Sequence, residues 1–217
     1  MSLETQLAEV RKGSAKNIPT DKHAIMLAET EILKTRALED QAPKVGELLP
    51  GFELRNQLGE LTALNDLLKN GPIIVTFYRG GWCPYCNLEL RAYQSVLENI
   101  RALGAQLVAI TPELPDASLS TIEKNALAFN VLSDVDALYA KSLGIVFTLP
   151  DTLKPIYEGF GIHVEQHNGE GKFDLPLAAT FVLDTSGKII FADVNADYTR
   201  RAEPAAVLSV LNKLHAA

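Results

Sequence analysis

The chain has 217 residues, 47% hydrophobic and 22% charged, with a formal net charge of −7 and a pI near 5.1. That mix supports one packed domain with an extension, without disulfide staples. The acidic balance and the lack of a basic block argue against nucleic acid or an anionic membrane as partner. No stretch reaches the roughly 18 uninterrupted apolar residues of a membrane span. The first residues, Met1 to Gln6, carry an early acid and do not resemble a secretory signal, so a cytoplasmic protein is expected.

Residues 3–40 read as two helices broken between Lys12 and Pro19. Leu3, Leu7 and Val10 share a face of the first; Ile25, Ala28, Ile32 and Leu33 mark the apolar side of the second. This region, taken as an N-terminal helical extension over residues 1–41, either packs on its own domain or mediates a homodimer. A Pro/Gly-punctuated linker, Ala42 to Gly51, leads into the main domain, residues 42–217. There Phe52–Leu54 and Leu61–Leu64 suggest a small hairpin, and Asn65–Asn70 a short helix. Ile73–Tyr78 is a β-branched apolar run expected as a strand buried on both faces, followed by one helix from Pro84 to Leu103. Gln106–Ile110 reads as a second buried strand, Ser118–Phe129 as a helix, Val131–Leu132 as a short strand and Val135–Leu143 as a further helix. Residues 145–176 look irregular; Ala179–Leu183 and Lys188–Asp193 form a hairpin, and Glu203-Pro204 opens a last helix. Strands alternating with helices and closing on a hairpin indicate an α/β layered sheet.

Cys83 and Cys86, the only two cysteines, lie between the expected strand and helix. C-x-x-C in that place reads as a redox pair. Cys83 falls at the helix N-terminus, where oriented N–H groups favour a thiolate, so it is expected exposed and acidic, with Cys86 more buried. Pro84 suits the first helical turn. Arg79 either adds positive potential at Cys83 or faces solvent. Gly80 and Gly81 either allow close approach of a substrate or merely make a tight turn. Trp82 either rims the site or packs. A zinc site would need four ligands; beyond the two cysteines only His163 and His167, spaced i, i+4, stand out, which argues against a metal.

The chain resembles the alkyl hydroperoxide reductase/thiol-specific antioxidant family of peroxiredoxin-like proteins. The resemblance rests on Ala42-Pro43-Lys44-Val45-Gly46 with Pro50-Gly51-Phe52-Glu53-Leu54, on Val75 to Leu90 around the cysteines, on Leu132-Ser133-Asp134, and on Ala179 to Asp184 with Gly187-Lys188-Ile189. The tail Asp197-Tyr198-Thr199-Arg200-Arg201-Ala202-Glu203-Pro204 resembles the same subgroup. The resemblance implies a thioredoxin-like fold, a central mixed sheet flanked by helices, and thiol-based reduction of hydrogen peroxide or organic hydroperoxides without metal or organic cofactor. Cys83 resembles the peroxidatic cysteine and Cys86 a resolving cysteine, with a thioredoxin- or glutaredoxin-like reductant as partner. The family pattern P-x-x-x-T-x-x-C places its proline at Thr76 and its threonine at Gly80. Near the later strand, where peroxiredoxins tend to carry an arginine and thioredoxins a cis-proline, this chain has Ala178. A protein disulfide reductase and a redox-sensing interaction protein are the alternatives.

Overall fold

The computed structural model describes residues 1–216. Helices α1 (Leu3–Asn17), α2 (Thr20–Thr35) and α3 (Leu38–Gln41) come first. They pack on their own chain. Leu3 and Leu7 bury into the hydrophobic cluster on one face of the sheet, and Leu33 and Leu38 into that on the other. Four polar ties hold this arm to the segment 196–203, one of them the Lys34–Asp197 ion pair at 3.8 Å. The Glu203 carboxylate accepts N–H groups from Leu3 (3.3 Å) and Glu4 (2.6 Å), satisfying the positive end of α1. Arg11 donates to the Thr199 carbonyl at 3.0 Å, and Glu39 accepts from the Ala196 N–H at 2.9 Å. On α2, Ile25, Leu27 and Ile32 stay exposed.

The expected small hairpin is β1 (Glu53–Asn56) with β2 (Leu61–Ala63), antiparallel. After α4 (Leu64–Leu68), β3 (Ile73–Phe77) runs through the middle of the sheet, every residue buried. Its alternation serves two cores. Ile73, Val75 and Phe77 enter one cluster, while Ile74 enters the other and Thr76 faces the helix that follows. That helix, expected as one piece, is two: α5 (Pro84–Ser95) and α6 (Leu97–Ala102). The break falls at β-branched Val96, whose backbone leaves helical geometry (φ −113°, ψ 9°) and donates back to Tyr93 and Gln94.

The order continues with β4 (Gln106–Thr111), α7 (Pro115–Asn125) and β5 (Asn130–Ser133). The helix expected over Val135–Leu143 is a short 3₁₀ turn, Val135–Ala137, then α8 (Leu138–Ser142). The Asp134 carboxylate accepts from the Tyr139 and Ala140 N–H groups, each at 2.9 Å, which starts a new helix instead of continuing one. The stretch expected as irregular contains a second sheet: β6 (Val146–Thr148) pairs antiparallel with β7 (Asp174–Pro176) across α9 (Lys154–Gly159) and α10 (Val164–Asn168). The hairpin β8 (Ala178–Leu183) and β9 (Ile189–Asn195) and the helix α11 (Pro204–His215) close the chain.

The main sheet has seven strands in the order β2-β1-β5-β4-β3-β8-β9. Strand β3 is parallel to β4 and antiparallel to β8, so the sheet is mixed. Helices α1, α5, α6 and α11 contribute to the cluster on one face, through Leu7, Tyr93, Ile100 and Val207. The sheet delivers the cysteine loop from the C-terminal end of β3, between α5 and the 196–203 segment.

Candidate active site

The loop from Tyr78 to Trp82 joins β3 to α5, and Cys83 is the N-cap of α5 with Pro84 in the first turn. The Cys83 N–H donates to the Gly80 carbonyl at 3.0 Å, and the Cys83 carbonyl accepts from the Asn87 N–H at 3.1 Å. Asn87 also donates its side-chain amide to the Gly81 (2.8 Å) and Cys83 (3.1 Å) carbonyls, pinning the loop to the helix. A Cβ on Gly80 would collide with the Trp82 indole, and one on Gly81 with the Thr121 hydroxyl. The two glycines therefore admit the chain's own side chains, and that space is not free for an incoming partner. Trp82 is half-buried, edge-on to Tyr157 at 5.6 Å.

Cys83 is fully buried, contrary to the exposed position expected, and so is Cys86; both are free thiols. The cover comes from residues distant in sequence, which helix-end reasoning does not see. Arg79 is not at the surface either: it is 4% exposed, with Nη2 3.6 Å from the Cys83 Sγ and Nη1 3.2 Å from the Tyr157 hydroxyl. Its guanidinium lies 4.1 Å over the Tyr198 ring and 5.3 Å from that of Trp82.

A second arginine, Arg201, supplies what the sequence reading missed. Its Nη2 donates to the Cys86 Sγ at 3.2 Å, and its Nε lies 2.6 Å from Oε2 of Glu89 on α5, with both side chains 1% exposed. Arg201 also donates to the carbonyls of Tyr198 and Arg200, which fixes the segment that carries it. Thr76 belongs to this second group and does not touch Cys83: its hydroxyl bonds Thr180 at 2.9 Å and Glu89 at 3.3 Å. Burial raises the Glu89 carboxyl to about 7, against the opposing charge of Arg201.

The two thiols split in acidity. Burial pushes Cys83 up, but a hydrogen bond from Cys86 and the charges of Arg79 and Arg201 outweigh it and bring the thiol well below its ordinary value. Cys86 is pushed well above, by burial first and then by the neighbouring Cys83 thiolate. One anion is therefore shared by the pair, and it rests on Cys83.

Behind the loop sits Glu113, fully buried. Its carboxylate accepts from the Gly81 N–H (3.0 Å) and the Tyr78 hydroxyl (3.3 Å), and Nδ1 of His167 lies 2.9 Å away. His167 thus turns to the cysteine loop, joining α10 to it. Ala178 opens β8, buried and paired with Asn195; the arginines at the cysteines are Arg79 and Arg201.

A family model described as "AhpC/TSA family" matches residues 45–192, more than half of the chain. The chain belongs to the AhpC/TSA family. It is 30% identical over 108 residues to "Peroxiredoxin Q, chloroplastic" of Populus jackii, a match covering 50% of each chain. It is 29% identical over 101 residues to "Putative peroxiredoxin bcp" of Haemophilus influenzae, covering 46% of this chain and 64% of that one. The matches thus span from half to just under two thirds of these two relatives. Among solved structures, peroxidoxin BcpB from Mycobacterium tuberculosis superposes with a TM-score of 0.62 at 21% identity, covering 79% of this chain and 97% of that one. This places the mixed sheet and its helices in the thioredoxin-like fold of peroxiredoxins. Arg201 and the N-terminal arm lie outside the residues the family model matches. The tail signal Tyr198-Thr199-Arg200-Arg201 was visible in the sequence, but nothing in it paired Arg201 with Cys86.

Proposed function

We propose that the chain is a thiol peroxidase. The observation that carries this is the Cys83 thiol at the N-terminus of α5, 3.6 Å from a buried guanidinium, in a chain of the AhpC/TSA family. The Cys83 thiolate attacks the terminal peroxide oxygen; an S–O bond forms, the O–O bond breaks, and the leaving alkoxide or hydroxide takes a proton. Arg79 donates to the oxygens as charge moves onto them. Cys86 then condenses with the sulfenic acid, releasing water and forming a disulfide. An external dithiol of the thioredoxin or glutaredoxin type attacks the Cys83 sulfur and expels Cys86, whose sulfur Arg201 contacts, and the dithiol's second thiol then displaces Cys83 from the mixed disulfide as a thiolate. A cytoplasmic setting suits a pair that cycles in this way.

The test is stopped-flow mixing of the reduced protein with hydrogen peroxide, following fluorescence of Trp82, the single tryptophan. Oxidation many times faster than that of a free thiol is expected; a rate no faster than a free thiol's removes the proposal. Insulin reduction at the rate of a thioredoxin, without fast peroxide oxidation, would favour the disulfide reductase. Leu3, Leu7 and Leu33 lie in the core, so deleting the arm would uncover it and would not single out a redox-sensing interaction protein. A homodimer through residues 20–40 is supported by exposed Ile25 and Leu27; light scattering giving a monomer at tens of micromolar would remove it.

A further inference from the structure

When the Cys83 thiolate breaks an O–O bond, the departing oxygen carries a negative charge inside a site where Cys83, Arg79 and Tyr157 are all buried. Some neighbours can hold that charge and others can end it with a proton. Arg79 only holds it, because a guanidinium keeps its protons. Arg79 Nε and Trp82 Nε1 are buried with no hydrogen-bond partner among the described residues, so both can donate to oxygens that enter. An indole N–H is a hydrogen-bond donor and no acid. Cys86 has a proton, but it is engaged with Cys83, and its sulfur lies against Arg201. Tyr157 differs from all of these. It stands on α9, edge-on to Trp82, with its hydroxyl 3.2 Å from Nη1 of the guanidinium whose Nη2 is 3.6 Å from the Cys83 Sγ. The arginine is the donor in that bond, which leaves the phenol's own O–H to donate elsewhere. Tyr198 meets Arg79 with its ring face instead. Gly80 stands where the family pattern has threonine, so the hydroxyl at Arg79 comes from α9 and not from that loop position.

We propose that Tyr157 is the general acid of peroxide cleavage, giving its proton to the oxygen that leaves. The assignment rests on the thiol-peroxidase reading. The Cys83 sulfur bonds the terminal oxygen of R–O–OH, and the O–O bond breaks with its electron pair on R–O. The terminal oxygen keeps its hydrogen as the sulfenic hydroxyl. R–O⁻ takes the Tyr157 proton and departs as R–OH, which is water when the substrate is hydrogen peroxide. The phenolate that remains is held by the Arg79 N–H and regains a proton from solvent once the product has gone. A phenol is a stronger acid than water or an alcohol, so the transfer runs downhill. Arg79 then serves both partners, with Nη2 on the thiolate and Nη1 on the acid.

The test compares two oxidants that differ in their need for a proton. Hydrogen peroxide releases hydroxide, whereas peracetic acid releases acetate, which leaves unprotonated. The reduced full chain and Tyr157→Phe, which keeps the ring against Trp82, are mixed with each in stopped flow. Tyr157→Phe is expected to slow oxidation by hydrogen peroxide about 10²-fold and oxidation by peracetic acid only about twofold. The peracid rate also reports that the variant still folds around Cys83. Alkylation of Cys83 against pH is expected to keep its midpoint, because the charge of Arg79 stays in place. Slowing that is equal for the two oxidants overturns the proposal, and a shifted midpoint would then make Tyr157 a prop for Arg79. A hydrogen peroxide rate unchanged in Tyr157→Phe, in a chain whose wild type reacts fast, removes the role of Tyr157 alone. A wild type no faster than a free thiol with either oxidant removes the peroxidase reading and the general acid with it.

Discussion

The two cysteines occupy one turn of helix and each has its own arginine, but the two arginines come from different parts of the chain. Arg79 precedes Cys83 by four residues, inside the family-matched segment; Arg201 reaches Cys86 from 115 residues away, outside it. Arg79 is stacked among aromatic rings and lines a pocket, whereas Arg201 is paired with Glu89, both side chains 1% exposed. The difference separates an arginine placed to meet an incoming molecule from one placed to hold an internal charge. In the proposed cycle the first serves the oxidative half and the second the reductive half.

The largest effect expected comes from the sulfurs themselves. Cys83→Ser should abolish peroxide turnover. Cys86→Ser should still be oxidised once, then stall and accumulate sulfinic acid, read by mass spectrometry. If the two variants fail alike, with no oxidation of Cys83 in Cys86→Ser, the division of labour is wrong.

Next come the arginines. Arg79→Ala should slow the oxidation step about 10²-fold, as for loss of a donor to developing charge. Arg201→Ala should slow reduction of the disulfide and destabilise the fold by about 1–3 kcal/mol, because Glu89, which holds its proton once the guanidinium is gone, loses a buried partner. The double variant Arg201→Met/Glu89→Gln recovers much of that stability without restoring the reductive rate. Single-turnover kinetics of each half-reaction decide; both arginines acting on the same step would sink the comparison.

A pH effect isolates the Arg201 side. Glu89 in the folded protein keeps its proton up to about 7, whereas the unfolded chain releases it near 4.5. Between those values the folded state binds more protons, so stability falls as pH rises through the window and levels off above it. The full change is on the order of 3 kcal/mol. Urea midpoints from pH 4 to 8 should show that slope in the wild type, and Glu89→Gln should flatten it.

The smallest effect belongs behind the loop. His167 is about one third exposed in its contact with Glu113, so His167→Ala should cost under about 1 kcal/mol in thermal unfolding. Glu113→Ala should cost about 1–3 kcal/mol, since the Gly81 N–H then lacks its acceptor.

Local signals account for what the sequence made legible. The buried strands β3 and β4 announce themselves as continuous apolar runs, and the cysteine pair, Pro84 and the start of α5 lie within a few residues of each other. The hairpins β1–β2 and β8–β9 are joined by short turns whose residue types mark them in the sequence. Strands β6 and β7 are three residues each and pair across an insertion, too short for any period to show. Glu113 reaches the Gly81 N–H over 32 residues of chain and Arg201 reaches Cys86 over 115, and no spacing rule encodes such contacts. Burial of Cys83 follows from the same distant residues, which is why a cysteine at a helix end was expected in the open.

That burial sets a size filter on the cycle. A peroxide is a small molecule, but another protein must bring its own sulfur to the same atom, and no part of Cys83 faces outward. Recycling therefore waits on a transient loosening of the loop and the first turn of α5, in the manner of a local unfolding event. Low urea, below the unfolding transition, should speed reduction by a protein dithiol more than reduction by a small one such as dithiothreitol; equal acceleration of both would show that no such gate exists. In the proposed cycle a sulfur that admits oxidant more readily than reductant would stay oxidised longer after a burst of peroxide, and the closed site would double as a timer.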